Sequence, residues 1–124
     1  MNILLSTIGA CLTAFWGISH LFPTKNVVKG FGDISVDNKR IITMEWIIEG
    51  LALIFVGALV LVVTFAGEPL SVTARMVYRV SAVFLLAMAV LSLFTGARIK
   101  FLPFRLCPII FTSSAVLILL GVYI

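Results

Sequence analysis

The sequence predicts an all-α fold, an integral membrane four-helix bundle. Of its 124 residues, 62% are hydrophobic and 11% charged, and the mean hydropathy of +1.25 lies well beyond what a soluble core requires. The apolar residues fall in four long runs, and a helix crossing about 30 Å of hydrocarbon needs roughly 20 of them. Four spans use nearly all of the chain, so residues 1–124 are read as a single transmembrane domain with no room for a separate soluble one.

The first span is expected over residues 3–22, where Pro23 stops it. Met1 and Asn2 supply no basic leader and the apolar run continues past any cleavage point, so this helix is read as a retained span rather than a signal. Residues 23–40, rich in Gly, Asp, Asn and Lys, form the longest predicted loop. Within it, the spacing of Asp33, Asp37 and Asn38 does not match a calcium loop, and a polar turn is expected. The second span covers residues 41–66 and ends at Gly67-Glu68-Pro69, where Gly closes one helix and Pro can open the next. The third covers 71–97. Arg98, Lys100 and Arg105 then alternate with Ile99, Phe101, Leu102 and Phe104, a pattern suited to the headgroup layer. The fourth span, residues 104–124, opens near Pro103 or Pro108.

Basic residues set the expected orientation. Lys25, Lys29, Lys39, Arg40, Arg98, Lys100 and Arg105 flank one side, against only Arg75 and Arg79 on the other. The excess places loops 23–40 and 98–106 in the cytoplasm and both termini outside, in a cell inner (plasma) membrane. Its net charge of +4 is thereby assigned to membrane topology, and no nucleic acid is expected as a partner. Small residues mark expected packing faces: Gly9, Thr13 and Gly17 as one stripe on the first helix, Gly50 and Gly57 on the second, and Ser81, Ala82, Ala89 and Ser92 on the third.

Ionisable groups at membrane depth are few and costly. His20, the only histidine, lies less than a turn from the end of the first span, with Trp16 four residues earlier on the same face. Glu45 and Glu49 share a face of the second helix, roughly 6 and 12 Å from its start at 1.5 Å per residue. Antiparallel packing brings His20, Glu45, Glu49, Trp16 and Trp46 into one inner-leaflet zone, within reach of Arg98 and its basic neighbours. A carboxyl buried without a partner holds its proton, while an imidazole titrates near neutrality, so the group has the makings of a proton relay or an acid–base pair. Glu49, Glu45 and His20 are therefore the catalytic candidates. Arg98, Lys100, Arg105, Trp16 and Trp46 are the candidates for a lipid headgroup or substrate. The structural alternative makes Glu49 a lock for the bundle and the tryptophans interfacial anchors. Arg79, on the opposite side, is expected to snorkel outward or to pair with Glu68.

No metal or cofactor is expected. A second histidine for a paired haem ligand, a CxxC pair and a His-Glu-x-x-His site are all absent, and Cys11 and Cys107 read as small hydrophobes. Ser113 and Ser114 are expected to bond back to their own helix backbone.

The pattern Gly17-x-x-His20-x-x-Pro23, then a polar loop and a helix opening with Arg40, Glu45 and Glu49-Gly50-Leu51, resembles the DoxX-like group of small bacterial four-helix membrane proteins. The resemblance covers mainly the first half of the chain; the rest matches in hydropathy and size. It implies a bacterial membrane bundle, and some members of the group are suggested to be subunits of quinone-linked oxidoreductases. It implies no catalytic residue. Small multidrug transporters also have four helices and a membrane carboxylate, but here that carboxylate lies on the second helix and the basic asymmetry disfavours dual topology.

Three functions remain open. The first is an accessory or scaffold subunit of a larger membrane complex, with membrane lipids and either larger subunits or further copies of the chain as partners. The second is a proton-coupled small-solute transporter or channel using Glu49. The third is a membrane enzyme acting on a lipid or quinone, with Glu45 and Glu49 as acid and base.

Overall fold

A computed structural model describes all 124 residues. Five α-helices form, α1 Ile3–Leu21, α2 Thr24–Gly30, α3 Val36–Phe65, α4 Val72–Phe94 and α5 Leu102–Tyr123, with a 3₁₀ turn at Gly96–Arg98. Four of them are long and apolar enough to cross a membrane. The protein is a small all-α, multi-pass membrane protein, and its four long helices make a bundle. In hydrocarbon each must satisfy its own backbone, which the helix does.

Helix starts follow from short polar caps. Asn2 accepts from the Leu5 N–H at the start of α1, Ser35 accepts from Asn38 before α3, and Ser71 accepts from Ala74 before α4. Each cap satisfies one of the donors that the first turn leaves free. These caps also correct the expected boundaries. The segment 23–40 is not one loop: α2 occupies its first part, and Asp37 and Asn38 lie in the first turn of α3 rather than in a turn. Ser35 overrides the polar character of the residues after it, because exposed polar side chains cost a helix little once its first donors are capped. Ser71 opens α4 at the expected boundary, with Pro69 in the turn before it. At the far end α4 stops at Phe94, and Arg98 belongs to the 3₁₀ turn. Arg105 lies inside α5 and donates from Nε to the Ile99 carbonyl at 3.1 Å. Pro103 fits in the first turn of α5, where a missing N–H is harmless, whereas Pro108 lies within the helix.

The helices close a ring in the order α1, α3, α4, α5. The α1–α3, α1–α5 and α4–α5 seams are extensive, whereas α3 and α4 meet sparingly. Small residues make the tight seams possible. A Cβ on Gly57 would lie 2.6 Å from the Ala10 carbonyl oxygen, and one on Gly17 would lie 2.7 Å from that of Gly50. Gly50 and Gly57 thus share the α1-facing side, as their spacing predicts. The stripe on α1 does not serve one neighbour, however. Gly17 faces α3, while Gly9 faces Ser114, Leu117 and Ile118 of α5. Eight residues at about 100° each turn the helix by roughly 80° beyond two full circles, so the stripe winds from one seam into the next.

The core lies between these seams, with Tyr78, Phe111, Leu53, Leu85 and Ile118 as its largest fully buried side chains. Inside it, the Thr64 hydroxyl donates to the Val60 carbonyl at 2.6 Å and lies 3.0 Å from the Tyr78 hydroxyl, tying α3 to α4 beside their connecting turn. Large apolar residues such as Phe15, Phe55, Val80 and Leu91 cover the exterior, where hydrocarbon is the solvent. Ser114 departs from expectation, because its buried hydroxyl has no hydrogen-bond partner instead of bonding to its own backbone.

Candidate functional site

His20 is the third residue from the end of α1 counting the capping Phe22, so its carbonyl is one of the four that a helix end leaves unpaired. The indole of Trp46, on α3, donates to that carbonyl at 2.8 Å. The Thr24 hydroxyl takes the next one, on Leu21, at 2.6 Å. The Trp46 ring also stacks on the His20 imidazole, with centroids 3.9 Å apart and planes inclined by 17°. One tryptophan therefore closes the α1 terminus and covers one face of the imidazole. Phe104 of α5 meets the Trp46 ring edge-on at 5.6 Å, a favoured aromatic arrangement.

The imidazole side chain is 8% exposed, and its Nε2 lies 3.3 Å from Oε2 of Glu49. That approach is out of line for a hydrogen bond, and no other group reaches Nε2. Glu49 itself is 40% exposed. Its Oε2 faces His20, and its flank looks into an open cleft of about 510 Å³ between α3 and α4. Glu45, one helical turn away, lies on the same wall. Met88, Leu91, Ser92 and Thr95 form the α4 wall, Phe104, Cys107 and Phe111 of α5 form the back, and Phe31 caps the end. The cleft exists because α3 and α4 are joined at Thr64 and Tyr78 and spread toward their other ends.

The structure thus brings His20, Glu49, Glu45 and Trp46 to one end of the bundle. Trp16 is set apart from the cleft: with Ser19, His20, Trp46 and Cys107 it lines a separate pocket of about 190 Å³. Arg98, Lys100 and Arg105 do not join the carboxylates. All three are exposed, and the only ion pairs in the chain are His20–Glu49 and the exposed Asp37–Arg40 contact at 3.8 Å. The reason is local: Arg105 is held by the Ile99 carbonyl, and the 3₁₀ turn that carries Arg98 packs against α4 and α5. No family model, curated protein or solved structure matches the chain.

At the opposite end Arg79 does not meet Glu68. Its Nε donates to the Tyr123 hydroxyl at 2.9 Å, and its guanidinium carbon lies 5.7 Å from that ring's centroid. Tyr123 was invisible as a partner from sequence spacing, since 44 residues separate the two. The cleft itself was equally hidden, although Met88, Leu91 and Ser92, at i, i+3 and i+4, mark one face of α4. Chemically, the site offers two carboxylates that pair with no lysine or arginine, one of them against a screened imidazole, and aromatic walls, beside hydrocarbon.

Proposed function

We propose that this protein is an accessory, noncatalytic subunit of a larger membrane assembly, resident in a bacterial inner membrane. The observation that carries this reading is the use made of His20, Trp46 and Glu49. The imidazole is stacked, its carbonyl is capped by the indole, and the carboxylate lies against Nε2. The group fastens α1 to α3, while the loop cations that would complete an acid–base or headgroup site stand apart. The likeness to DoxX-like proteins supports the same reading, because Gly17 and His20 of that motif are contact residues of this seam. The basic asymmetry supports both termini outside, with residues 23–40 and 98–106 in the cytoplasm.

Native mass spectrometry of the protein, taken at its natural level from its own host in gentle detergent, tests this. A stoichiometric complex with larger subunits is the expected result, and Glu49→Gln is expected to leave assembly intact. Isolation only as a free monomer overturns the reading, as does a Glu49→Gln variant that assembles normally but abolishes the activity of the complex. One observation favours a second reading, a proton-coupled carrier: Glu49, on a helix long and apolar enough to cross a membrane, flanks an open cleft. Reconstituted vesicles would then show a solute flux that depends on pH and on Glu49, and indifference to both removes it.

A further inference from the structure

The α3–α4 cleft has an electrostatic character opposite to that of the chain as a whole. The protein carries a net charge of +4, yet the cleft is lined by Glu45 and Glu49 and by no lysine or arginine. Neither carboxylate has a basic partner other than the His20 imidazole, which approaches Glu49 without forming a hydrogen bond. That imidazole is more than nine-tenths buried, and its unpartnered Nε2 points at the carboxylate on the cleft wall. The remaining surface is mostly apolar or aromatic, with Phe31, Trp46, Phe104 and Phe111 among the lining residues, and the hydroxyls of Ser92 and Thr95 on the opposite wall are turned back to the Ala89 and Leu91 carbonyls. A volume of about 510 Å³ lies in the range of small-molecule sites. Aromatic faces and carboxylates together attract a cation, and the loss of water strengthens that attraction.

We infer that this cleft binds an amphiphile with an ammonium head, which lies between Glu45 and Glu49 beside Trp46 while its hydrocarbon chain leaves through the α3–α4 gap into the bilayer. A simple metal cation does not fit, since nine of the lining residues are hydrophobic and a hard cation requires six or more oxygen ligands. An anionic amphiphile is opposed by both carboxylates. Glu45 and Glu49 stand one turn apart, about 6 Å along the helix, so one primary ammonium can donate to both. The inference is independent of whether the chain docks on a larger subunit.

The probe is dodecylamine, which is charged at neutral pH, titrated into the full-length protein in maltoside micelles. In a Trp16→Phe background the emission of Trp46 alone reports occupancy. Saturable binding is expected, weakened at least tenfold by Glu45→Gln with Glu49→Gln, and not matched by dodecanol, which has the same chain without the charge. Ser92→Phe, which fills the cleft and leaves both carboxylates in place, is expected to weaken binding as much. It decides the matter if the double variant does not fold. Competition by lysophosphatidylethanolamine identifies the head as that of a membrane aminolipid, and competition by soluble alkylammonium ions alone identifies a free organic cation; both support the site. Equal binding of dodecanol, or unchanged affinity in Ser92→Phe, overturns it.

Discussion

Gly57→Ala tests how closely α1 and α3 approach. The added Cβ would stand 2.6 Å from the Ala10 carbonyl oxygen, 2.8 Å from the Ala14 Cβ and 2.9 Å from the Ala14 nitrogen. Carbon contacts are optimal at about 3.5–4.0 Å, so the helices must part by roughly 0.7–1 Å along a seam held by van der Waals packing. Two of the three opposing atoms are backbone, which no rotamer change can move. The cost therefore belongs at the upper end of the overpacking range, about 3 kcal/mol. Alanine recovers about 1 kcal/mol of helix propensity, leaving a net loss of about 2 kcal/mol, roughly a thirtyfold change in the folding equilibrium. Unfolding by sodium dodecyl sulfate in mixed micelles, followed by far-UV circular dichroism, measures it. Gly30→Ala is the control, since a Cβ there meets nothing within 4 Å. If Gly57→Ala is as stable as that control, the close approach of α1 and α3 is refuted.

Trp46→Phe keeps an aromatic ring on His20 but leaves its carbonyl without a donor, and should lower stability by about 1 kcal/mol in the same titration. A change confined to tryptophan emission would show that the indole bond contributes nothing. Tyr78→Phe removes the hydroxyl contact to Thr64, which retains its bond to Val60; a loss of up to about 1 kcal/mol is expected, and a larger one would mean that the α3–α4 seam depends on this contact beyond a single hydrogen bond. For the proposed orientation, a single cysteine at Ser35 in an otherwise cysteine-free chain should resist an impermeant maleimide in right-side-out vesicles, and one at Glu68 should react. The reverse pattern would invert the topology.

The four spans were legible because hydrocarbon admits little except apolar helix, and their count needs no tertiary information. The meeting of His20 with Glu49 was legible too, since antiparallel neighbours place both at one end. What escaped was everything set by rotation about a helix axis or by divergence of two axes. Gly9 and Gly17 serve different seams because 3.6 residues per turn does not divide their spacing. Arg98, Lys100 and Arg105 were expected near the carboxylates from proximity in the membrane plane, yet a 3₁₀ turn and one carbonyl direct them elsewhere. The extension of α3 back to Val36 was missed because composition outweighed the single cap at Ser35.

The α1–α5 seam bears on the order of assembly. The Asn2 N–H donates to the Gly121 carbonyl at 2.7 Å, and the Ser6 hydroxyl reaches the Ile118 carbonyl across 112 residues of sequence. Contacts so distant form late, because closing a long loop must precede them. During synthesis α1 and α3 can pair as soon as both have entered the bilayer, but the flank of α1 that carries Ser6 and Gly9 waits for α5. Throughout that interval the small residues of this flank, shaped for a close helix partner, have only lipid to pack against, so the last helix to be made closes a groove that its predecessors leave open.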